Sequence, residues 1–186
     1  MTLTPNRSDF KAIKTAQEAK LIVKSSPELI LPTAQAAKAA GAALGLAIEA
    51  EDPASFLITL EGPLGVGKTT FCQGLAEALG TAPGEAVSPS FSLANVYQAR
   101  RLIYHLDLYR LGPQAEEEFL GAGLEEYLDG LCLVEWPERL KEDFWPEERL
   151  ELVFNQQKTR SLKARARDSA AYTLWLKTLE KLNKPE

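Results

Sequence analysis

The sequence predicts a layered α/β fold, with a mainly parallel central sheet flanked by helices. Three observations carry that prediction. Short apolar runs alternate with helical patterns along the chain. One run, Phe56-Leu57-Ile58-Thr59-Leu60, stops at a glycine-rich loop that opens directly into an amphipathic stretch. Another, Leu131-Cys132-Leu133-Val134, shows no polar alternation and ends in Glu135, as expected of a strand buried on both faces.

Each element has its own signal. Residues 1–28 read as an N-terminal extension: Lys11 to Lys24 has helical spacing with a basic face, and Ser25-Ser26-Pro27 interrupts it. Thr33 to Ala50 is rich in alanine, the best helix former, and Asp52-Pro53 marks a turn after it. Thr69 to Leu79 carries Phe71, Leu75 and Leu79 at four-residue spacing, with Gly80 placed to stop the helix. Ala86 to Val96, with Ser88-Pro89-Ser90-Phe91, reads as an ordered loop. Arg101 to Tyr109 is a strand. Glu116 to Leu128 is a helix broken at Gly121 and Gly123, its three leading glutamates a solvated first turn. Arg149 to Phe154 is a further strand, and Leu162 to Arg167 is either one more or an irregular connection. Leu174, Leu176, Leu179 and Leu182 mark a closing helix over Ser169–Leu182. One domain over residues 29–182 follows, with a tail at 183–186.

Composition bounds the function. The chain has 186 residues, 45% hydrophobic and 25% charged, which suits one globular domain and excludes global disorder. The net charge of −5 argues against broad, unassisted adhesion to nucleic acid phosphates. Cys72 and Cys132 have no CxxC spacing and read as buried thiols in a reducing compartment, not as a disulfide or zinc framework. No secretory h-region or membrane-length apolar run is present, so a cytoplasmic location is expected.

The chemistry begins at Gly62-Pro63-Leu64-Gly65-Val66-Gly67-Lys68-Thr69, which satisfies the Walker A pattern GxxxxGK followed by Ser or Thr. Glycines let the backbone wrap phosphates with N–H groups turned inward, and a helix N-terminus adds free donors and a favourable dipole. Gly62, Leu64, Gly65, Val66, Gly67, Lys68, Thr69 and Thr70 are therefore the expected nucleotide contacts. Lys68 would reach the β- and γ-phosphates, and the Thr69 hydroxyl would ligate Mg²⁺, a cation that takes hard oxygen ligands. ATP with Mg²⁺ is the expected ligand.

Turnover needs more than a phosphate loop. A metal-holding acid and a group that positions the attacking oxygen are also required. Glu135, at the carboxyl end of a central-looking strand, is the leading metal candidate; its alternative is a helix cap or surface charge. Period-two alternation puts His105, Asp107 and Tyr109 on one face, a row that could orient water or help hold Mg²⁺. The bland reading is a polar strand face, and His105 by itself is better read as a packed structural residue. Asn183-Lys184-Pro185-Glu186 faintly resembles a guanine-reading box, but it has Glu for Asp and follows a helix, so it is given no such role.

Taken in order, Gly62 to Phe71, Ser88-Pro-Ser-Phe91, His105-Leu-Asp-Leu-Tyr-Arg-Leu111 and Val134-Glu-Trp-Pro-Glu138 resemble the TsaE family, over about residues 29–182. The resemblance implies a small P-loop NTPase fold. It implies an ATPase, weak alone, that supports the TsaD–TsaB complex, with a functional link to TsaC. That complex forms threonylcarbamoyladenosine at position 37 of tRNAs reading codons that start with A. TsaE does not itself transfer the group, and tRNA is met only through the complex. By position, Lys68 is the phosphate lysine, Thr69 and Glu135 the Mg²⁺ ligands, and Asp107 the essential switch-region acid. The resemblance also implies that Ser88 to Phe91, including Ser90, would be a loop near the γ-phosphate. Arg160 matches an arginine of the C-terminal strand region. The chain departs from the family at Pro63, usually Asp, at Val66, usually Ala, and at Ala37, often Thr.

Two other classes compete with this reading. A small-molecule P-loop kinase would need a second substrate pocket and an arginine-bearing lid, and no clear lid segment is visible. A nucleotide-binding scaffold without turnover would show no phosphate release.

Overall fold

The computed structural model describes residues 23–89 and 92–183. Most of the expected extension, two residues of the Ser88–Phe91 loop (Ser90 and Phe91) and the last three residues lie outside them. Eight strands form one sheet: β1 Lys24–Ser25, β2 Leu29–Ile30, β3 Phe56–Glu61, β4 Ala94–Gln98, β5 Leu102–Asp107, β6 Leu131–Glu135, β7 Leu150–Gln156 and β8 Arg160–Ala166. Among the described residues four α-helices accompany them: α1 Ala34–Glu51, α2 Lys68–Ala78, α3 Ala115–Gly121 and α4 Ser169–Leu182. The strand order is β1-β8-β7-β3-β6-β5-β4, with β2 also paired to β8.

The centre of the sheet, β7-β3-β6-β5, is parallel. Its edges are antiparallel, where β4 pairs β5 and where β8 pairs β7, β1 and β2. The parallel strands read as near-continuous apolar runs because both faces are covered. Ile58, Leu60, Leu131 and Leu133 face a core built with α1, α2 and α4, in which Trp175 is fully buried. Leu57, Cys132 and Val134 alternate to the other face and pack with Phe119, Leu140 and Trp145.

Several elements differ from the sequence expectation. Residues 94–98 form an edge strand; most of it falls within, and its end just beyond, the stretch expected to be loop. Its polar residues Asn95 and Gln98 hid the pattern. The stretch from Glu116 splits into the short α3 and a 3₁₀ helix, Leu124–Asp129, at Gly123 with φ 68°. Lys24–Ser25 falls inside the stretch expected as an extension, yet it pairs with β8, and Ser26 N–H donates to the Ala164 carbonyl. Thr33 caps α1 by accepting from the Ala36 N–H at 3.1 Å. Among the described residues no helix is long and apolar enough to cross a membrane.

The alanine and glycine content of α1 serves packing as well as propensity. A Cβ on Gly41 would lie 2.0 Å from the Phe71 carbonyl oxygen, and one on Gly74 would lie 1.9 Å from the Lys38 carbonyl oxygen. The two helices meet backbone to backbone, which seats the first turn of α2. Gly74→Ala is therefore expected to cost about 1–3 kcal/mol or more, the range for overpacking a dense core. Urea unfolding checks this. A wild-type midpoint in the variant would show that the helices can part cheaply.

Candidate functional site

The loop after β3 takes its shape from glycines. Gly62, Gly65 and Gly67 have φ of 142°, 75° and 115°. Gly62 also lies against β7, where an added Cβ would be 2.5 Å from the Phe154 carbonyl oxygen. Ala37 of α1 packs beneath Gly67. Val66 is a core side chain, so only its backbone can face the loop's interior.

Lys68 opens α2 and is only 4% exposed. Its Nζ donates to the carbonyl oxygens of Gly62 at 2.5 Å and Pro63 at 3.1 Å. The same ammonium sits 3.8 Å from the centre of the Trp136 ring, a cation–π contact. Burial lowers the pKa of this ammonium from its ordinary value, against the opposing pull of Glu135, Glu138 and Asp107. Trp136 has φ 61°, a left-handed backbone uncommon for a bulky residue, and its ring also meets Tyr109 at 4.8 Å.

Both acids lie at the carboxyl edge of the sheet, where Asp107 of β5 and Glu135 of β6 are register partners. The Thr69 hydroxyl donates to Glu135 Oε2 at 3.1 Å. Glu135 Oε1 pairs with His105 Nε2 at 3.0 Å, and His105 Nδ1 meets the Tyr97 hydroxyl at 3.2 Å. Asp107 Oδ2 accepts from the Ser88 hydroxyl at 2.9 Å, and Oδ1 from the Tyr109 N–H at 3.1 Å.

Cys72, one helical turn beyond Thr69, completes a buried group with His105 and Glu135 whose ligand atoms lie within 4.8 Å of one another. Sequence spacing gives no hint of this meeting. Both carboxylate oxygens and both ring nitrogens already have partners, and burial holds the Cys72 pKa well above the ordinary thiol value. His105 and Glu135 are hydrogen-bonded to one another beneath the loop, with the Cys72 sulfur beside them.

A cavity of about 350 Å³ opens above these residues. Of the residues expected at the site, Leu64, Gly65, Gly67, Lys68, Thr69, Thr70, Asp107 and Glu135 line it. Gly62 shapes its base through the loop. Arg160 does not line it: it begins β8 opposite Gln156, two strands from β3, and its carbonyl accepts from the Leu31 N–H. Ser90 lies outside the described residues. The cavity also takes in Ser88, expected near the γ-phosphate, and Tyr109, expected in the polar row, and it adds Arg110 and Trp136, to which no nucleotide contact had been assigned. Arg110 and Trp136 fall inside quoted motifs, so adjacency was their available signal.

The comparisons with known proteins fit this arrangement. A family model described as "Threonylcarbamoyl adenosine biosynthesis protein TsaE" matches residues 31–166, most of the chain and the whole of the loop and both acids. The chain belongs to the TsaE family. Proteins named tRNA threonylcarbamoyladenosine biosynthesis protein TsaE are similar to it. The one from Bacillus subtilis is 42% identical over 103 residues, 54% of this chain and 61% of that protein. Those from Synechocystis and Nostoc are 40% and 45% identical over 63% and 52% of this chain, covering 74% and 62% of their own lengths. The chain thus spans less than two thirds of two of these three TsaE relatives. The crystal structure of Bacillus subtilis YdiB aligns with a TM-score of 0.65 at 29% identity, covering 87% of this chain and 99% of that one.

Proposed function

We propose that this TsaE-family chain is a Mg²⁺-dependent ATPase, weak alone, that works in the cytoplasm. Its role is to support a TsaD–TsaB complex in forming threonylcarbamoyladenosine in tRNA, with TsaC linked functionally and tRNA met only through the complex. One observation carries the reading furthest. The Thr69 hydroxyl at the head of α2 and the Glu135 carboxylate at the end of β6 meet at 3.1 Å, beside the glycine loop.

The residues present fit the implied ligands. The positive-φ glycines and the α2 N-terminus suit phosphate oxygens. Thr69 and Glu135 are hard oxygen donors of the kind Mg²⁺ requires, and they would hold it there, where it would offset phosphate charge. Lys68 would leave its loop carbonyls for the phosphates. Asp107, poised by Ser88 and the Tyr109 N–H, would accept a proton from, or orient, the attacking water. Residues 29–182 would form the working domain, and residues 1–28 an extension.

The test is phosphate release from ATP with and without Mg²⁺, and with and without TsaD–TsaB. Slow Mg²⁺-dependent release that rises with the complex supports the reading. Release unaffected by Mg²⁺, or none under any condition, overturns it.

Trp136 offers a reporter. Its ring lies over the Lys68 ammonium, whereas Trp145 and Trp175 are buried in the two cores. Nucleotide with Mg²⁺ should change tryptophan emission chiefly through Trp136, and Trp136→Phe should remove most of the change. A Trp136→Phe protein that keeps the whole signal would move the nucleotide elsewhere.

A further inference from the structure

We propose that His105 is a positioning residue that holds the Glu135 carboxylate on Thr69 and ties it, through Tyr97, to the loop at Val87–Ser88. This rests on the reading of Thr69 and Glu135 as the Mg²⁺ ligands. The observation is a line of hydrogen bonds, buried at His105 and part-buried at its two ends. A carboxylate only accepts, so His105 Nε2 is the donor to Glu135 Oε1 at 3.0 Å, while Thr69 donates to the other oxygen at 3.1 Å. Two donors on opposite oxygens fix the last torsion of a side chain that would otherwise turn freely. His105 and Glu135 are 1% and 2% exposed, so in the intact protein the imidazole is the donor that Oε1 meets. Without it that oxygen loses its protein donor, and the carboxylate would turn to recover one or take a water that does not hold it in place.

His105 is itself held. The Tyr97 hydroxyl lies 3.2 Å from its Nδ1 and 2.6 Å from the Val87 carbonyl, two acceptors between which its one proton is shared, and the Val87 N–H and Asn95 Nδ2 donate to its oxygen at 3.2 and 3.3 Å. The next residue, Ser88, holds the other acid through its 2.9 Å bond to Asp107. Neighbouring residues of one loop are thus bonded to both acids, Val87 through Tyr97 and His105, and Ser88 directly. A displacement of that loop moves both acids together. The link places His105 where outer partners of metal ligands act, and loss of such a partner typically costs about 10–100-fold in metal affinity.

The experiment titrates Mg²⁺ against binding of a fluorescent N-methylanthraniloyl ATP, using the full chain. Wild type, Glu135→Ala, His105→Ala, His105→Gln and Tyr97→Phe are compared. His105→Ala should raise the Mg²⁺ midpoint about 10–100-fold while binding without Mg²⁺ is unchanged. Gln keeps a donor near the Nε2 position but loses Tyr97, so His105→Gln should fall between wild type and His105→Ala. Tyr97→Phe should show a smaller shift in the same direction. A wild-type midpoint in His105→Ala, beside a shifted one in Glu135→Ala, overturns the proposal alone. So does equal loss of metal-free binding, which marks a merely structural role. If His105→Ala does not fold, wild-type midpoints in both His105→Gln and Tyr97→Phe overturn it. An unshifted Glu135→Ala overturns the ligand reading and this proposal with it.

Discussion

Lys68→Ala should lower ATP turnover by about 10²-fold or more, the scale for deleting one preorganised charge-stabilising donor. The side chain is buried at the base of the cavity, and its ammonium is the cation nearest the loop carbonyls of Gly62 and Pro63. Alanine leaves the glycine loop its backbone donors but removes the charge that would follow the phosphates. Lys68→Arg is not expected to rescue. A longer side chain ending in a planar fork of five donors does not reproduce the compact, mobile ammonium that would pass from these carbonyls to the phosphates. Nucleotide titration and phosphate release, both with Mg²⁺ present, check the result. A variant with wild-type affinity and turnover would remove the loop from the function altogether.

The parts of this architecture that were legible in the sequence are those governed by local rules. β3, its glycine loop and α2 follow one another within residues 56–78, so their apolar run, motif and four-residue spacing lie side by side. The buried run at β6 places Glu135 at a sheet edge for the same reason. Non-local pairings were not legible. β4 reads Ala-Asn-Val-Tyr-Gln, in which the adjacent Val96 and Tyr97 break a two-residue apolar period, and it is completed as a strand by pairing with β5. Cys72 meets His105 and Glu135 only because α2 lies across β5 and β6. Trp136 owes its place to a left-handed backbone immediately after Glu135, which no tryptophan preference announces. The small residues of α1 illustrate a signal read for one cause and used for a second: alanine favours the helix, and Gly41 lets it meet α2 backbone.

Glu135→Ala and Asp107→Asn should fail in different ways, because the two carboxylates touch different partners. Glu135 bonds Thr69, the expected metal ligand, so its loss should weaken the Mg²⁺ dependence of ATP binding and abolish activity. Asp107 bonds Ser88 and the Tyr109 N–H instead. Asparagine is close to isosteric and keeps one acceptor oxygen, so one of those bonds survives and the local backbone should hold. Its amide cannot take a proton from water, however. Loss of stabilisation confined to the transition state lowers turnover without weakening ground-state binding. Asp107→Asn should therefore bind ATP with Mg²⁺ nearly as wild type does, yet hydrolyse it about 10²–10⁴-fold more slowly, the usual range for one positioned general base. Single-turnover hydrolysis with TsaD–TsaB present, beside Mg²⁺-dependent ATP titration, separates the roles. Normal hydrolysis by Asp107→Asn would exclude it as the base. A lost Mg²⁺ dependence in that variant would instead move Asp107 to the metal, which its register position opposite Glu135 permits. A Glu135→Ala protein with wild-type Mg²⁺ dependence would leave Thr69 without its proposed companion and return the metal to other oxygens of the cavity.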